Sequence, residues 1–269
     1  MKRSRKPAVA GTFYPSDPGV LRTTVETLLA AASGWRGAAP RALVAPHAGY
    51  IYSGPVAASA YAALEPFRDR YRRVVLLGPA HRAPVRGIAL PDAEVFETPL
   101  GPVPLDCEVM NSLDDPDVCH DDRAHRLEHS LEVQLPFLQV VLDAFSLVPL
   151  LVGAATPDAV ARVIERLWRP ETLVVVSSDL SHYLPYAEAR RHDHATCRAV
   201  ETLAVDALCN RDACGAAPLK GLMRAAERHG LTVHTLDLRN SGDTAGDHAQ
   251  VVGYGAWLFA EDDRRANAA

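Results

Sequence analysis

Three short runs of Val, Leu and Ala each stop at a loop that carries a histidine or an acid, and this recurrence constrains the chain more than any other feature. Ala42-Leu43-Val44-Ala45 leads into Pro46-His47-Ala48-Gly49-Tyr50, and Val74-Val75-Leu76-Leu77 leads into Gly78-Pro79-Ala80-His81. Leu173-Val174-Val175-Val176 leads into Ser177-Ser178-Asp179-Leu180-Ser181-His182. Short apolar runs bounded by Gly, Pro or Ser read as buried strands. In an open α/β sheet, ligands bind beyond the carboxyl ends of the strands, so three such ends can meet at one site.

Helical patterns separate these runs. Asp17-Pro18 precedes Leu21, Val25, Leu28 and Leu29, which share a helical face. Helices are also predicted over residues 54–64, 157–167, 185–208 and 219–229. The face bearing Leu131, Leu135, Leu138 and Leu142 predicts another, with a kink or late start at Pro136. Further strands are expected at 87–90, 145–153, 232–238 and 251–259, and a hairpin or edge region between Val95 and Leu105. Residues 114–125 read as a surface loop or short helix. The alternation predicts one α/β domain over residues 1–269, a central, mostly parallel or mixed β-sheet with helices on both faces, and a frayed tail at 261–269.

A net charge of -5 lacks the concentrated basic face that nucleic-acid binding needs. No apolar stretch approaches the roughly 20 residues that span a membrane. The expectation is a soluble cytoplasmic protein without nucleic-acid or membrane partners. No G-x-G-x-x-G follows the first strand, and no P-loop is present. Cys107, Cys119, Cys197, Cys209 and Cys214 form an odd set without a C-x-x-C pair, and each reads as a small hydrophobe.

His47 and His81 occupy equivalent settings after strands, each beside Pro and Gly, and are expected to share a site. His129 and Glu132 lie three residues apart where a helix begins, so they share a face. Asp179 sits close to His182, and a carboxylate there would fix the tautomer of that imidazole and raise its basicity. Two histidines and a carboxylate with open positions suit non-haem Fe(II), and the loop Asn240-Ser241-Gly242-Asp243-Thr244-Ala245-Gly246-Asp247 offers Asp243 or Asp247. His120, His125, His192, His194, His229, His234 and His248 read as surface or packing residues.

These segments, with Ala8-Val9-Ala10-Gly11-Thr12-Phe13-Tyr14-Pro15, Glu128-His129-Ser130-Leu131-Glu132 and Asn240-Ser241-Gly242-Asp243, resemble the Memo family, called AmmeMemoRadiSam system protein B in prokaryotes. The match runs over nearly the whole chain. The family is similar in fold to the LigB-like class III extradiol dioxygenases. The resemblance implies a metal position built from two histidines and a cysteine. The histidines match His47 and His81, while the cysteine position falls on Thr244. That departure favours an N/O donor set, with Asp243 as third ligand and Fe(II) as the metal, zinc or copper being the alternatives.

The first functional expectation is therefore an Fe(II)-dependent oxidoreductase that acts on a small aromatic diol. His182, oriented by Asp179, would move a proton, and His129 and Glu132 would line the pocket. The second is a non-catalytic metal- or peptide-binding module acting with AMMECR-type and radical-SAM proteins, as the resemblance implies. A zinc hydrolase is permitted by the same residues. Pairing with a second copy of the chain stays open.

Overall fold

The Val- and Leu-rich runs form the middle of one sheet, where their side chains are almost wholly withdrawn from solvent. The computed structural model describes residues 3–262. The first part of the chain contains β1 (Ser4–Arg5), α1 (Pro18–Ala31), β2 (Ala42–Ala45), α2 (Tyr50–Tyr61), β3 (Arg73–Pro79) and β4 (Ile88–Leu90). Next come β5 (Val95–Thr98), β6 (Gly101–Pro104), α3 (Cys107–Asn111), β7 (Val118–His120), α4 (Asp122–Arg126), α5 (Leu135–Val141) and β8 (Ser146–Val152). The last part holds α6 (Pro157–Leu167), β9 (Thr172–Ser177), β10 (His182–Leu184), α7 (Tyr186–Glu201), α8 (Ala216–His229), β11 (Thr232–Asn240) and β12 (Val251–Ala260).

The main sheet runs β10-β12-β2-β9-β3-β8-β4-β7, with β11 also paired to β12. Its centre, β2-β9-β3-β8, is parallel, and antiparallel strands flank it. This is the mixed α/β sheet expected from the sequence. One consequence matters for function. The order β2-β9-β3 sets the loops of His47, Asp179 and His81 side by side at one edge.

Helices flank the sheet, with α1, α2 and α5 packed together in one group and α6 on α8 in another. Local signals start several of them. The Asp17 carboxylate accepts the Val20 N–H at 2.9 Å, Pro18 opens α1, and Leu21, Val25 and Leu29 are buried on its inner face. Val95–Pro104 is a hairpin, as expected, but it joins β1 in a separate three-stranded sheet.

Some boundaries differ from the sequence reading. Helix α2 begins at Tyr50, because most of its residues are buried and no polar face marks its start. The stretch read as a surface loop or short helix runs into the short helix α4 but also contains β7, an edge strand with exposed Cys119 and His120 and hence no apolar signal. Helix α7 stops at Glu201, where Leu203 turns left-handed at φ 54°. The tail expected to fray lies, from residue 263 onward, outside the described residues.

Glu132 corrects the sequence reading. It does not line a pocket; it is fully buried and strapped to the N-terminal segment. Its carboxylate pairs with Arg5 and accepts the N–H groups of Ala8 at 2.8 Å and Val9 at 2.9 Å, and the Tyr14 hydroxyl at 2.7 Å. Replacing it leaves a buried guanidinium uncompensated. Glu132→Ala should lose about 3–5 kcal/mol of stability in urea unfolding, and a loss under about 1 kcal/mol would show the pair to be dispensable.

Candidate metal centre

His47 follows β2 across Pro46, and only 2% of it is exposed. Its tautomer follows from its neighbours. Ser177 has one hydroxyl proton, which it donates to the Ser130 carbonyl at 2.6 Å. The Gln134 amide donates to the same Ser177 oxygen at 2.7 Å, its own carbonyl being held by the Tyr61 hydroxyl. Ser177 Oγ must therefore accept from His47 Nδ1 at 2.8 Å. That leaves Nε2 of His47 as an acceptor, and it lies within hydrogen-bond distance of Cys214 Sγ at 3.3 Å.

His81 lies just beyond β3. Its Nδ1–H donates to Glu128 Oε1 at 3.0 Å, which again frees Nε2. Glu128 sits in a nest of backbone donors, accepting the N–H groups of His81 at 2.5 Å, His129 at 2.9 Å, Ser130 at 3.0 Å and Arg82 at 3.2 Å. A carboxylate behind a ligating imidazole is the common support of a metal histidine. Sequence reasoning passed over Glu128, although it begins the Glu128-His129-Ser130 segment.

Cys214, rather than the expected Asp243, is the residue whose donor atom could hold an ion together with His47 and His81; His81, Glu128 and His129 form a second such group. One donor atom each from His47, His81 and Cys214 lies within 4.8 Å of the others. A tetrahedral ion about 2.3 Å from sulfur and about 2.0 Å from nitrogen would hold those two donors roughly 3.5 Å apart. The observed 3.3 Å between Cys214 Sγ and His47 Nε2 fits. Asp243 belongs elsewhere. Its Oδ2 accepts the Asn240 N–H at 2.9 Å in a capping box, its Oδ1 accepts the Tyr186 hydroxyl at 2.5 Å, and it lines a separate cavity with Arg190 and Arg239. Thr244 donates its hydroxyl to the Ser241 carbonyl at 3.2 Å. The thiolate position is filled from the head of α8 instead. A Cβ on Gly215 would meet Ser178 Cβ at 2.6 Å, so glycine is what lets the Cys214 segment close on the β9 loop.

The remaining candidates divide. His129 stacks on His81 with centroids 4.9 Å apart and stands edge-on to His47 at 5.5 Å. Its carboxylate neighbour is Glu128, at 3.2 Å. Asp179 was expected to orient His182; instead its Oδ1 accepts the His47 N–H at 2.7 Å, and its own N–H meets Cys214 Sγ at 3.3 Å. His182 takes its tautomer from the Leu180 carbonyl, 2.8 Å from Nδ1, which leaves Nε2 free.

Electrostatics suit neutral donors. Burial, then the neighbouring His81, lowers His47 from 6.5 to about 3. Burial and His47 lower His129 to about 4. Burial works against ionisation of Glu128, but hydrogen bonds from the His81 ring and the Ser130 N–H outweigh it and hold the carboxyl at about 2. Burial and then Asp179 push the Cys214 thiol up to about 12, so metal uptake must release its proton.

The comparisons with known proteins decide the family. Residues 5–258 match the family described as Memo-like protein. A "MEMO1 family protein" of Aquifex aeolicus is 39% identical over 270 residues, covering 96% of this chain and 99% of that one. One from Aeropyrum pernix is 38% identical over 277 residues, covering 94% and 98%. The chain belongs to the Memo-like family. A crystal structure of an uncharacterized protein, JW3007 of Escherichia coli K12, shares the fold, with a TM-score of 0.54 and 15% identity over 79% of this chain and 98% of that one.

In this Memo-like chain two of the three donors, His81 and Cys214, border a cavity of about 670 Å³, whose walls also include His182 and Tyr183, while His47 lies buried behind them. That volume suits a small ligand.

Two outcomes follow. Cys214→Ala should abolish tight binding of added metal while Asp243→Ala leaves it intact, read by equilibrium dialysis with elemental analysis; the reverse pattern would reinstate Asp243. In the metal-free protein, His47, His129 and His125, the last lowered by burial to about 4, all sit below their ordinary 6.5. The unfolded chain then binds protons first as the pH falls, so stability is complete above 6.5 and drains away as the pH falls toward 4 and 3. Melting temperatures measured between pH 7 and pH 4 should decline steadily, and a flat profile would mean these imidazoles are not held neutral by burial.

Proposed function

We propose that this Memo-like protein is a metal-dependent oxidoreductase, with a first-row transition metal held by His47, His81 and Cys214 and a small aromatic diol admitted through the adjoining cavity. The observation that carries this reading is the convergence of two imidazoles and a thiol, whose donor atoms lie within 4.8 Å of one another, with His81 and Cys214 on the wall of an open cavity. A thiolate has the same charge as the carboxylate of a two-histidine facial site, so Fe(II) remains the favoured metal. The sulfur donor also restores copper as the leading competitor.

The chain's own residues would divide the work. Glu128 and Ser177 hold the two imidazoles in the tautomers that present Nε2. His182, its Nδ1–H committed to Leu180, has Nε2 available at the cavity wall to accept a proton from a diol hydroxyl and return it later. Burial of His47 keeps solvent away from one side of the centre. A bound redox metal would supply the site for joining the diol to O₂.

A second reading is a non-catalytic binding module that works with AMMECR-type and radical-SAM proteins. The exposed side chains of Ile51 and Tyr52, at the head of α2 a few residues past His47, favour it.

One experiment separates the two. Protein purified anaerobically without a chelator is assayed for bound metal and then for oxygen uptake with a panel of catechols. Near-stoichiometric iron, lost in His47→Ala/Cys214→Ala, together with uptake that falls at least 10²-fold in His182→Ala, is expected for the oxidoreductase. Bound metal without uptake on any diol would leave the module as the better account.

A further inference from the structure

Among the described residues, two that are not glycine adopt the left-handed backbone region, Leu203 at φ 54° and Tyr183 at φ 59°. Leu203 has an ordinary reason. It stops α7, and the next N–H, on Ala204, returns to the Ala199 carbonyl at 2.8 Å. Tyr183 ends no helix. It sits where β10 slips register against β12, between His182 and Leu184.

A bulge with a left-handed residue is normally built with glycine, because any Cβ there is strained. This chain places a tyrosine at the position, and burial does not compensate the strain. The residue is 68% exposed. Its ring contact is the His182 imidazole, with centroids 5.8 Å apart and planes inclined by 67°. Yet Tyr183 lines the same cavity as His81 and Cys214. Strain maintained without a packing return is a mark of a functional position.

We infer that Tyr183 determines the specificity of the cavity: its exposed ring is the platform on which a planar aromatic ligand stacks while the ligand's polar end reaches the metal centre. This rests on the proposed reading of the cavity as a small-ligand site and adds which part of the ligand is recognised, and by what. A flat ring satisfies the tyrosine face as no aliphatic chelator can. The bulge places Tyr183 on the cavity wall with its side chain exposed.

The test compares wild type, Tyr183→Gly and Tyr183→Phe, with metal content checked in each. Two probes are titrated against the Fe(II)-loaded proteins, 4-nitrocatechol as an aromatic chelator and lactate as an aliphatic one. Tyr183→Gly should bind 4-nitrocatechol roughly 5- to 10-fold more weakly and lactate unchanged. The same variant should melt roughly 2–4 °C higher, since glycine relieves the strain. Tyr183→Phe should bind both probes within about twofold of wild type, as the ring is retained.

Equal loss of both probes in the glycine variant, or loss of neither, would overturn the inference. So would a lower melting temperature with unchanged binding, which is the signature of a structural tyrosine. Saturation-transfer NMR of 4-nitrocatechol on metal-free protein keeps this outcome separate from failure of the metal reading. Transfer in wild type that disappears in Tyr183→Gly supports stacking even if no metal binds, and equal transfer in both, or none in either, counts against it.

Discussion

The structure depends on a buried polar spine. Glu128, Ser130, Glu132 and Gln134 alternate along one short segment, and none is more than 2% exposed. Burying such groups is costly unless every one finds partners, and here each does. Glu128 gathers the His81 loop, while Ser130 donates to the Pro79 carbonyl at 2.9 Å and accepts the Ser177 hydroxyl. Glu132 fastens the N-terminal segment. Gln134 reaches Pro46 at 2.9 Å and Ser177, and so supports His47. One segment thus ties the N-terminal strap to both histidine loops, and loosening any member leaves an unpaired group in a low-dielectric interior.

This arrangement explains how two histidines on different strands come to point their Nε2 atoms at one place. The parallel sheet supplies position, through the neighbouring ends of β2, β9 and β3. The spine supplies orientation, by occupying Nδ1 of each ring through Ser177 and Glu128. The third donor enters by another route, from the head of α8, admitted because Gly215 has no side chain to strike Ser178. Rigid support on the histidine side and a strained tyrosine on the cavity side give the centre one closed wall and one open one.

Much of the architecture was legible in the residues. The apolar runs, their Gly, Pro and Ser boundaries and the helical stripes fall where the strands and helices lie, since burial of a repeating face is a local demand that each segment states for itself. The pairing of His47 with His81 was also readable, because both follow a strand and carry Pro and Gly beside them. The short edge strand β7 was not, as its side chains face solvent and leave no periodic mark.

The ligand set shows where local reading stops. Asp243, in a polar loop of plausible composition, is consumed by its own capping box and by Tyr186. Cys214, one of five unremarkable cysteines in the sequence, is the residue brought to the histidines. By itself the sequence determined the α/β class and the two histidine loops, because those follow from hydrophobic pattern and strand boundaries, and it carried the resemblance to the family in the residues of its ordered motifs. Which acid or thiol lies beside the two histidines, which ring nitrogen of His47 is tied to Ser177, and that Tyr183 stands on the cavity wall were decided only by the tertiary structure, since they depend on hydrogen bonds and close approaches between residues distant in sequence.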